Sequence, residues 1–267
     1  METKLGGGIC VYLSERQSEI VELAKTKGRV LVDELAAHFD ITPQTIRMDL
    51  NSLCNGRVLV RFHGGAIYPD GKENVEYEAR RQIAADEKRK IGLATAKIIP
   101  NNASLFINIG TTTEAVGQAL ANHSGLMVVT NNINVANSLR LYPSIEVAIA
   151  GGVVRRSDGG IVGEAAVDFI NQFKVDYAVI GASAIDLDGS LLDYDFREVK
   201  VAQAIIANAR HVILVADSTK YERRASVKLG KLTQVDTFVT DTISEPAIRN
   251  ICSEGDVAVI EVTVSEN

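Results

Sequence analysis

Tryptophan is absent, and cysteine is scarce: Cys10, Cys54 and Cys252 stand far apart, with no CxxC spacing. That pattern excludes a disulfide framework and a thiolate zinc site, and it fits a reducing compartment. Histidine is equally sparse, and His38, His63, His123 and His211 show no ligand spacing, so no metal and no cofactor is expected. Apolar runs stay well short of the roughly 18 residues needed to span a bilayer. The opening METKLGGGICVYL carries one lysine and too short an apolar stretch for a signal peptide, so a cytoplasmic location with no membrane partner is expected. Its triple glycine reads as a flexible extension over residues 1–13. Few aromatics (5%) do not imply disorder, because Val, Ile, Leu and Ala lift the hydrophobic share to 46%.

Positive charge is also in deficit, with a net charge of −6. The deficit is uneven. Residues 1–65 hold eight basic and eight acidic side chains, whereas the remainder holds twenty and twenty-six. Within the neutral part, Arg47, Arg57 and Arg61 fall close together with only Asp49 opposing them. A basic face on an acidic protein is compatible with contact to nucleic acid.

That first part has helical punctuation. Ser14 with Gln17 forms a capping box, Ile20, Val21, Leu23 and Ala24 supply an apolar face, and Gly28 ends the helix. VDELAAHF predicts a second helix, with Leu35, Ala36 and Phe39 on one side. After the turn DIT, Thr42 is the N-cap and Pro43 the first residue of a third helix. Ile46, Leu50 and Leu53 line its buried stripe and Gly56 closes it. Three short helices with a tight turn before the last make a helix-turn-helix. The stripe leaves Gln44, Thr45, Arg47, Met48 and Asn51 pointing outward, where Gln, Arg and Asn can pair with base edges in a major groove. RVLVRFHGGAI then alternates around a Gly-Gly turn as a two-stranded wing, placing Arg57, Arg61 and His63 near phosphates or a minor groove. Any three-helix domain exposes polar residues on its last helix, and the wing, the Pro43 entry and the arginines together favour DNA. Segment 14–67 resembles the DNA-binding domain of the DeoR family of bacterial regulators, through TIR-x-DL and R-x-HGGA. The family usually carries a second arginine where this chain has Met48. Either a phosphate or base contact is lost there, or Met48 makes an apolar contact such as one to a thymine methyl.

YPDGKENV concentrates Pro, Gly and charge, and residues 68–83 read as a linker. The helical pattern in EARRQIAADEKRKIGLATAKII runs on to Pro100 as one helix. Beyond it, apolar strands (ASLFINI, LMVVTN, IEVAIAG, YAVIGAS, HVILVAD, TFVTD, VAVIEV) alternate with helices. This predicts an α/β domain over 84–267 built on a mainly parallel sheet covered on both faces. Ligands then bind beyond the C-terminal strand ends. Those ends are Gly110 to Thr113, Asn131 and Asn132, Gly151 and Gly152, Gly181 to Ser183, and Asp217 to Lys220. Gly110 with Thr111, Thr112 and Thr113 ahead of a helix suits a phosphate, although such residues are also common at any helix entry. Arg155 and Arg156 either pair with an anion or sit on the surface, and Glu198 faces either the site or solvent.

This second part resembles the DeoR-family sensor domain, whose fold is similar to sugar-phosphate isomerases of the ribose-5-phosphate isomerase type. IGTTTEAVGQALANHSGLMVVTNNINVANSL, AGGVVRRSDGGIVGEAAVDFINQF, GSLLDYDFREV and ADSTKY carry the resemblance. It implies a phosphate role for Gly110, Thr111, Thr112 and Thr113, and polar ligand contacts for Asn131, Gly152, Glu198 and Lys220. It also implies a phosphorylated sugar or polyol as effector, with sn-glycerol 3-phosphate the expected one. Asn108 departs from the family's common Asp, and an amide cannot serve as a carboxylate base. The expectation is therefore a non-enzymatic repressor that binds double-stranded operator DNA as a homo-oligomer, dimer or tetramer. The alternatives are a sugar-phosphate isomerase, for which a winged helix-turn-helix has no use, and an activator of the same architecture.

Overall fold

The computed structural model describes residues 13–27, 29–55, 58–62, 64–68, 77–221 and 223–262, and the chain divides into two compact units, Met1–Ile83 and Ala84–Asn267. The glycines expected to end the first and third helices (Gly28, Gly56), residues 1–12 of the extension and residues 69–76 of the linker lie outside the described residues.

In the first unit, α1 (Glu15–Lys27), β1 (Arg29–Leu31), α2 (Val32–Phe39), α3 (Pro43–Asn55), β2 (Val60–Phe62) and β3 (Gly65–Ile67) follow in order. The capping box closes as its spacing implies: Ser14 Oγ accepts from Gln17 N at 3.1 Å, and Ser14 N donates to Gln17 Oε1 at 3.2 Å. Ile20, Ala24, Leu35, Ile46, Leu50 and Leu53 meet in one apolar core. Between α2 and α3 the chain turns through Asp40, whose left-handed backbone (φ 51°) stops the second helix. The wing is larger than expected. It has three strands in the order β1-β3-β2, with Val30 opposite Ala66 and Arg61 opposite the same residue from the other side. The third strand, β1, hides in a three-residue stretch between two helices, too short for alternation to show.

The next elements correct a second expectation. One helix up to Pro100 is in fact two, α4 (Tyr77–Gln82) and α5 (Ala85–Ile98), broken at Ala84. Ala84 has a left-handed backbone (φ 52°, ψ 41°), a conformation that costs about 1–2 kcal/mol for a residue with a Cβ. No glycine or proline announces it.

The second unit continues with β4 (Ser104–Ile107), α6 (Thr111–Ala119), β5 (Leu126–Thr130), α7 (Ile133–Leu139), β6 (Ile145–Ile149), β7 (Val153–Val154) and β8 (Ile161–Val162). It ends with α8 (Glu164–Ile170), β9 (Val175–Ile180), β10 (Ala184–Ile185), β11 (Ser190–Asp193), α9 (Phe196–Ala207), β12 (Ala209–Val215), β13 (Val227–Lys231), β14 (Thr237–Thr240), α10 (Pro246–Glu254) and β15 (Ala258–Glu261). Seven strands form one sheet, β15-β14-β12-β9-β4-β5-β6, with every pair parallel. Side chains alternate between its faces: Val212 and Leu214 pack with α8, α9 and α10, while Ile213 and Val215 pack with α5, α6 and α7. Being buried on both faces explains the near-continuous apolar strands. A separate antiparallel sheet, β10-β11-β13, and a hairpin, β7-β8, were not separated by the sequence pattern.

Chain order places β4, β5 and β6 on one side and β9, β12, β14 and β15 on the other. The winding direction therefore switches between β4 and β9, where open α/β sheets leave a crevice. The loop after β4 is the one bearing Gly110.

Candidate functional site

In the first unit the question is what α3 shows to solvent. Thr42 caps it, with Oγ1 accepting from Thr45 N at 3.3 Å, and Pro43 occupies the first turn. With Ile46, Leu50 and Leu53 buried, Gln44, Arg47 and Asn51 are exposed and Thr45 is half-buried. Met48 is 66% exposed, high for so apolar a side chain. The acid of this helix points the other way. Asp49 is buried and accepts from Arg16 Nε at 2.7 Å and from Gln17 Nε2 at 3.2 Å, tying α3 to α1. Its charge is thus neutralised on the inner side and leaves the outer face of α3 to Arg47. On the wing, Arg61 donates to the carbonyl of Gly65 across the turn, which engages one of its nitrogens. Arg57 and His63 lie outside the described residues.

In the second unit the three threonines do not sit in a loop. They form the first turn of α6, behind Gly110. Glu114 N donates to the Gly110 carbonyl at 3.0 Å, the first bond of the helix, which leaves the N–H groups of Thr111, Thr112 and Thr113 without intrahelical partners. Three unpaired amides at the positive end of a helix dipole are the kind of group an anion accepts from, and they stand at the sheet's switch point. Gly110 has φ +145°, and a Cβ there would stand 3.3 Å from Thr113 Oγ1. A side chain would therefore both strain the backbone and crowd the turn. The hydroxyls contribute unequally. Thr113 is fully buried, and its hydroxyl turns back on the loop, within 2.7 Å of the carbonyls of Asn108 and Gly110. Thr112 is 5% exposed, while Thr111 is half-buried and the most accessible of the three.

Neighbouring strand ends close in on this turn. A Cβ on Gly181, after β9, would lie 3.7 Å from the Thr113 methyl and 3.9 Å from the Val215 carbonyl at the end of β12. After β5, Asn131 is fully buried, and its Nδ2 donates to the Ile161 carbonyl at 3.1 Å. Its Oδ1, like that of Asn108 just after the neighbouring β4, is buried with no protein partner. Asn132 caps α7 and also donates to Glu114 Oε1 at 3.1 Å, as Asn134 does at 3.0 Å. Gly152 follows β6 with φ +145°, and a Cβ there would fall 2.9 Å from the Val162 carbonyl, so it fits the hairpin to the sheet by close approach.

Arg155 and Glu198, each open to two readings in sequence, prove to be partners. Arg155 NH1 lies 2.5 Å from Glu198 Oε2 and 3.6 Å from Asp195 Oδ2, while Nε and NH2 hold both oxygens of Asp158 at 2.9 and 2.6 Å. Only 12% of the Arg155 side chain and 9% of the Glu198 side chain are exposed, so neither is a surface residue. Burial and the adjacent Asp193 carboxyl push Glu198 up to about 8, against the pull of Arg155. Asp193 is itself raised by burial, although Tyr194 N, Ser183 Oγ, Arg155 and Lys220 all favour its ionised form. At the end of β12, burial works against the charge of Asp217, but Lys220 and Lys88 outweigh it and hold the carboxyl below its usual range. Lys88 Nζ stands 3.9 Å from Asp217 Oδ2. Lys220 thus acts on both carboxyls, and Asp193 links it to Glu198. Sequence reasoning missed Asp158, Asp193, Glu114 and Lys88, which lie outside any phosphate-type pattern. For the first two, the doublets SD and LD beside a glycine-rich turn and a strand end were the available signal.

Comparison with known proteins follows the same division. A family model described as a DeoR-like helix-turn-helix domain matches residues 16–72, and one described as the DeoR C terminal sensor domain matches residues 83–242. The chain belongs to the DeoR family. Both resemblances read from TIR-x-DL and from the Gly-Thr-Thr-Thr segment are therefore borne out. A glycerol-3-phosphate regulon repressor of Escherichia coli K12 is 45% identical over 90% of this chain and 96% of that one. One from Haemophilus influenzae is 48% identical over 87% of this chain and 91% of that one. Among solved structures, ribose 5 phosphate isomerase A from Neisseria gonorrhoeae is 15% identical, covering 51% of this chain and 53% of its own, with a TM-score of 0.38.

Proposed function

We propose that this DeoR-family chain is a transcriptional repressor that grips operator DNA through α3 and the wing and lets go when sn-glycerol 3-phosphate binds the second unit. The observation that carries the reading is a pairing within one chain. An α3 face cleared of its acid stands in the same molecule as a helix N-terminus with three unpaired amides at a sheet switch point, in a chain 45% identical to a glycerol-3-phosphate regulon repressor.

Base reading falls to Gln44, Arg47 and Asn51, with Thr45 and Met48 beside them, and backbone positioning to Arg57, Arg61 and His63. The effector's phosphate sits on the amides of Thr111 to Thr113, with the Lys220 ammonium, at the end of β12, as its cationic partner. Its hydroxyls meet the acid-rich strand ends, where Glu198, Asp193 and Asn131 offer acceptors and Gly152 lets the backbone come close. Induction requires that ligand favour the state that cannot hold DNA.

One observation favours an isomerase: Glu198 is buried and raised to about 8, near the range of a general base. Its carboxylate is, however, held by Arg155. The deciding experiment measures operator binding by fluorescence anisotropy with rising sn-glycerol 3-phosphate, alongside an aldose–ketose turnover assay. Release of DNA without turnover is expected. Turnover, or DNA binding indifferent to every phosphorylated polyol and sugar tried, overturns the proposal.

A further inference from the structure

The seven-stranded sheet ends at β6, which pairs with β5 alone among the described residues. Ser144 accepts from Gly125 N and Ala150 donates to the Thr130 carbonyl, so the even-numbered residues of this segment turn their backbone toward β5. The alternation of a strand then turns the backbones of Ile145, Val147 and Ile149 outward. Natural sheets blunt such edges with lysine, proline or a bulge. The strand Ile-Glu-Val-Ala-Ile has none of these and a single charge, Glu146.

The side chains at both ends of β6 are exposed and apolar. Of nine large exposed hydrophobic residues among those described, five fall between positions 141 and 154: Leu141 (66%), Tyr142, Ile149, Val153 (64%) and Val154. A cluster this dense at an open edge marks an interaction surface.

We infer that a second copy of this chain docks here, its β6 running antiparallel to the first about a two-fold axis through Val147. The surface complements itself in that register. Val147 faces the partner's Val147, Ile145 faces the partner's Ile149, and Glu146 faces the partner's Ala148, so like charges do not meet. Val147 offers both its N–H and its carbonyl outward. Ile149 N–H can reach the partner's Ile145 carbonyl, while Ile145 N–H is already donated to Tyr142. The pairing therefore forms four backbone hydrogen bonds across the axis. Leu141 and Tyr142 precede the strand and Val153 and Val154 follow it, so the same axis sets the exposed apolar residues before one β6 on the side of those after the other. A closed two-fold contact of this kind extends the sheet to fourteen strands and removes the edge.

The register gives a direct test on the full chain. Residues facing each other as a hydrogen-bonded antiparallel pair have Cα atoms about 5.5 Å apart, within the roughly 4.4–6.8 Å span of a disulfide. Val147→Cys should cross-link two copies on mild oxidation, while wild type and the exposed control Leu187→Cys should not. In sedimentation, Leu141→Asp with Val153→Asp should weaken self-association at least tenfold, and Leu141→Lys with Val153→Asp should restore it. Far-UV circular dichroism should show all variants folded, since both positions are open to solvent. A monomeric wild type, a Val147→Cys variant that does not link copies, or a double-aspartate variant that associates like wild type overturns the inference.

Discussion

Replacing Arg155 by alanine removes a cation that serves two buried carboxylates. The guanidinium holds Asp158 through two nitrogens and Glu198 through a third, with 12% of the arginine side chain exposed. Truncating one partner of a buried ion pair costs about 3–5 kcal/mol, because the other charge stays behind unpaired. Here the cost depends on pH. Glu198, already raised to about 8, can escape by taking a proton, and with Arg155 gone it holds that proton more firmly. For a carboxyl whose folded pKa is raised, stability is greatest below the unfolded value and is lost as pH rises through the folded one. Arg155→Ala should therefore cost about 3 kcal/mol near pH 8.5 and clearly less near pH 6. At roughly 2–4 °C per kcal/mol for a unit of this size, that is a fall in Tm of about 6–12 °C at the higher pH. Because the chain has no tryptophan, circular dichroism at 222 nm is the readout. Adding Glu198→Gln should recover part of the loss at high pH and little at low pH. A fall below about 2 °C at both pH values, or a larger fall at pH 6, would refute the assigned pair.

Further outcomes follow from the two sites. Arg47→Ala should weaken operator binding by about 1–3 kcal/mol, roughly 5- to 150-fold, with Tm unchanged, as measured by anisotropy at fixed salt. Met48→Arg adds a positive charge to an exposed position and should steepen the salt dependence of binding; lower affinity at low salt would point instead to an apolar base contact. Thr111→Asp should raise Tm slightly, since an acid suits the first turn of α6, yet lower effector affinity by repelling the phosphate. Lys220→Ala should blunt the response to effector while leaving operator affinity intact, giving a repressor that stays on DNA.

Long, periodic or capped elements were legible in the sequence. Ser14, Gln17, Thr42 and Pro43 state their structural roles through hydrogen-bond chemistry, and strands buried on both faces announce themselves as apolar runs. Two kinds of feature were not legible. Elements of three residues, such as β1, are too short for periodicity, and the break at Ala84 uses a backbone conformation that alanine does not advertise. In the candidate site, the glycine-threonine turn could be read because its chemistry is local. The Arg155–Glu198 pair could not, since it joins residues 43 positions apart and only the fold brings them together. Asp193 and Lys88 escaped for the same reason.

If sn-glycerol 3-phosphate on one unit releases DNA from the other, the two binding events are linked, and linkage is reciprocal. The most direct measurement is therefore the affinity of sn-glycerol 3-phosphate for the full chain, titrated by calorimetry with and without saturating operator. Effector should bind more weakly when operator is present, by the same factor by which effector weakens operator binding. Equal effector affinities in the two titrations would contradict it.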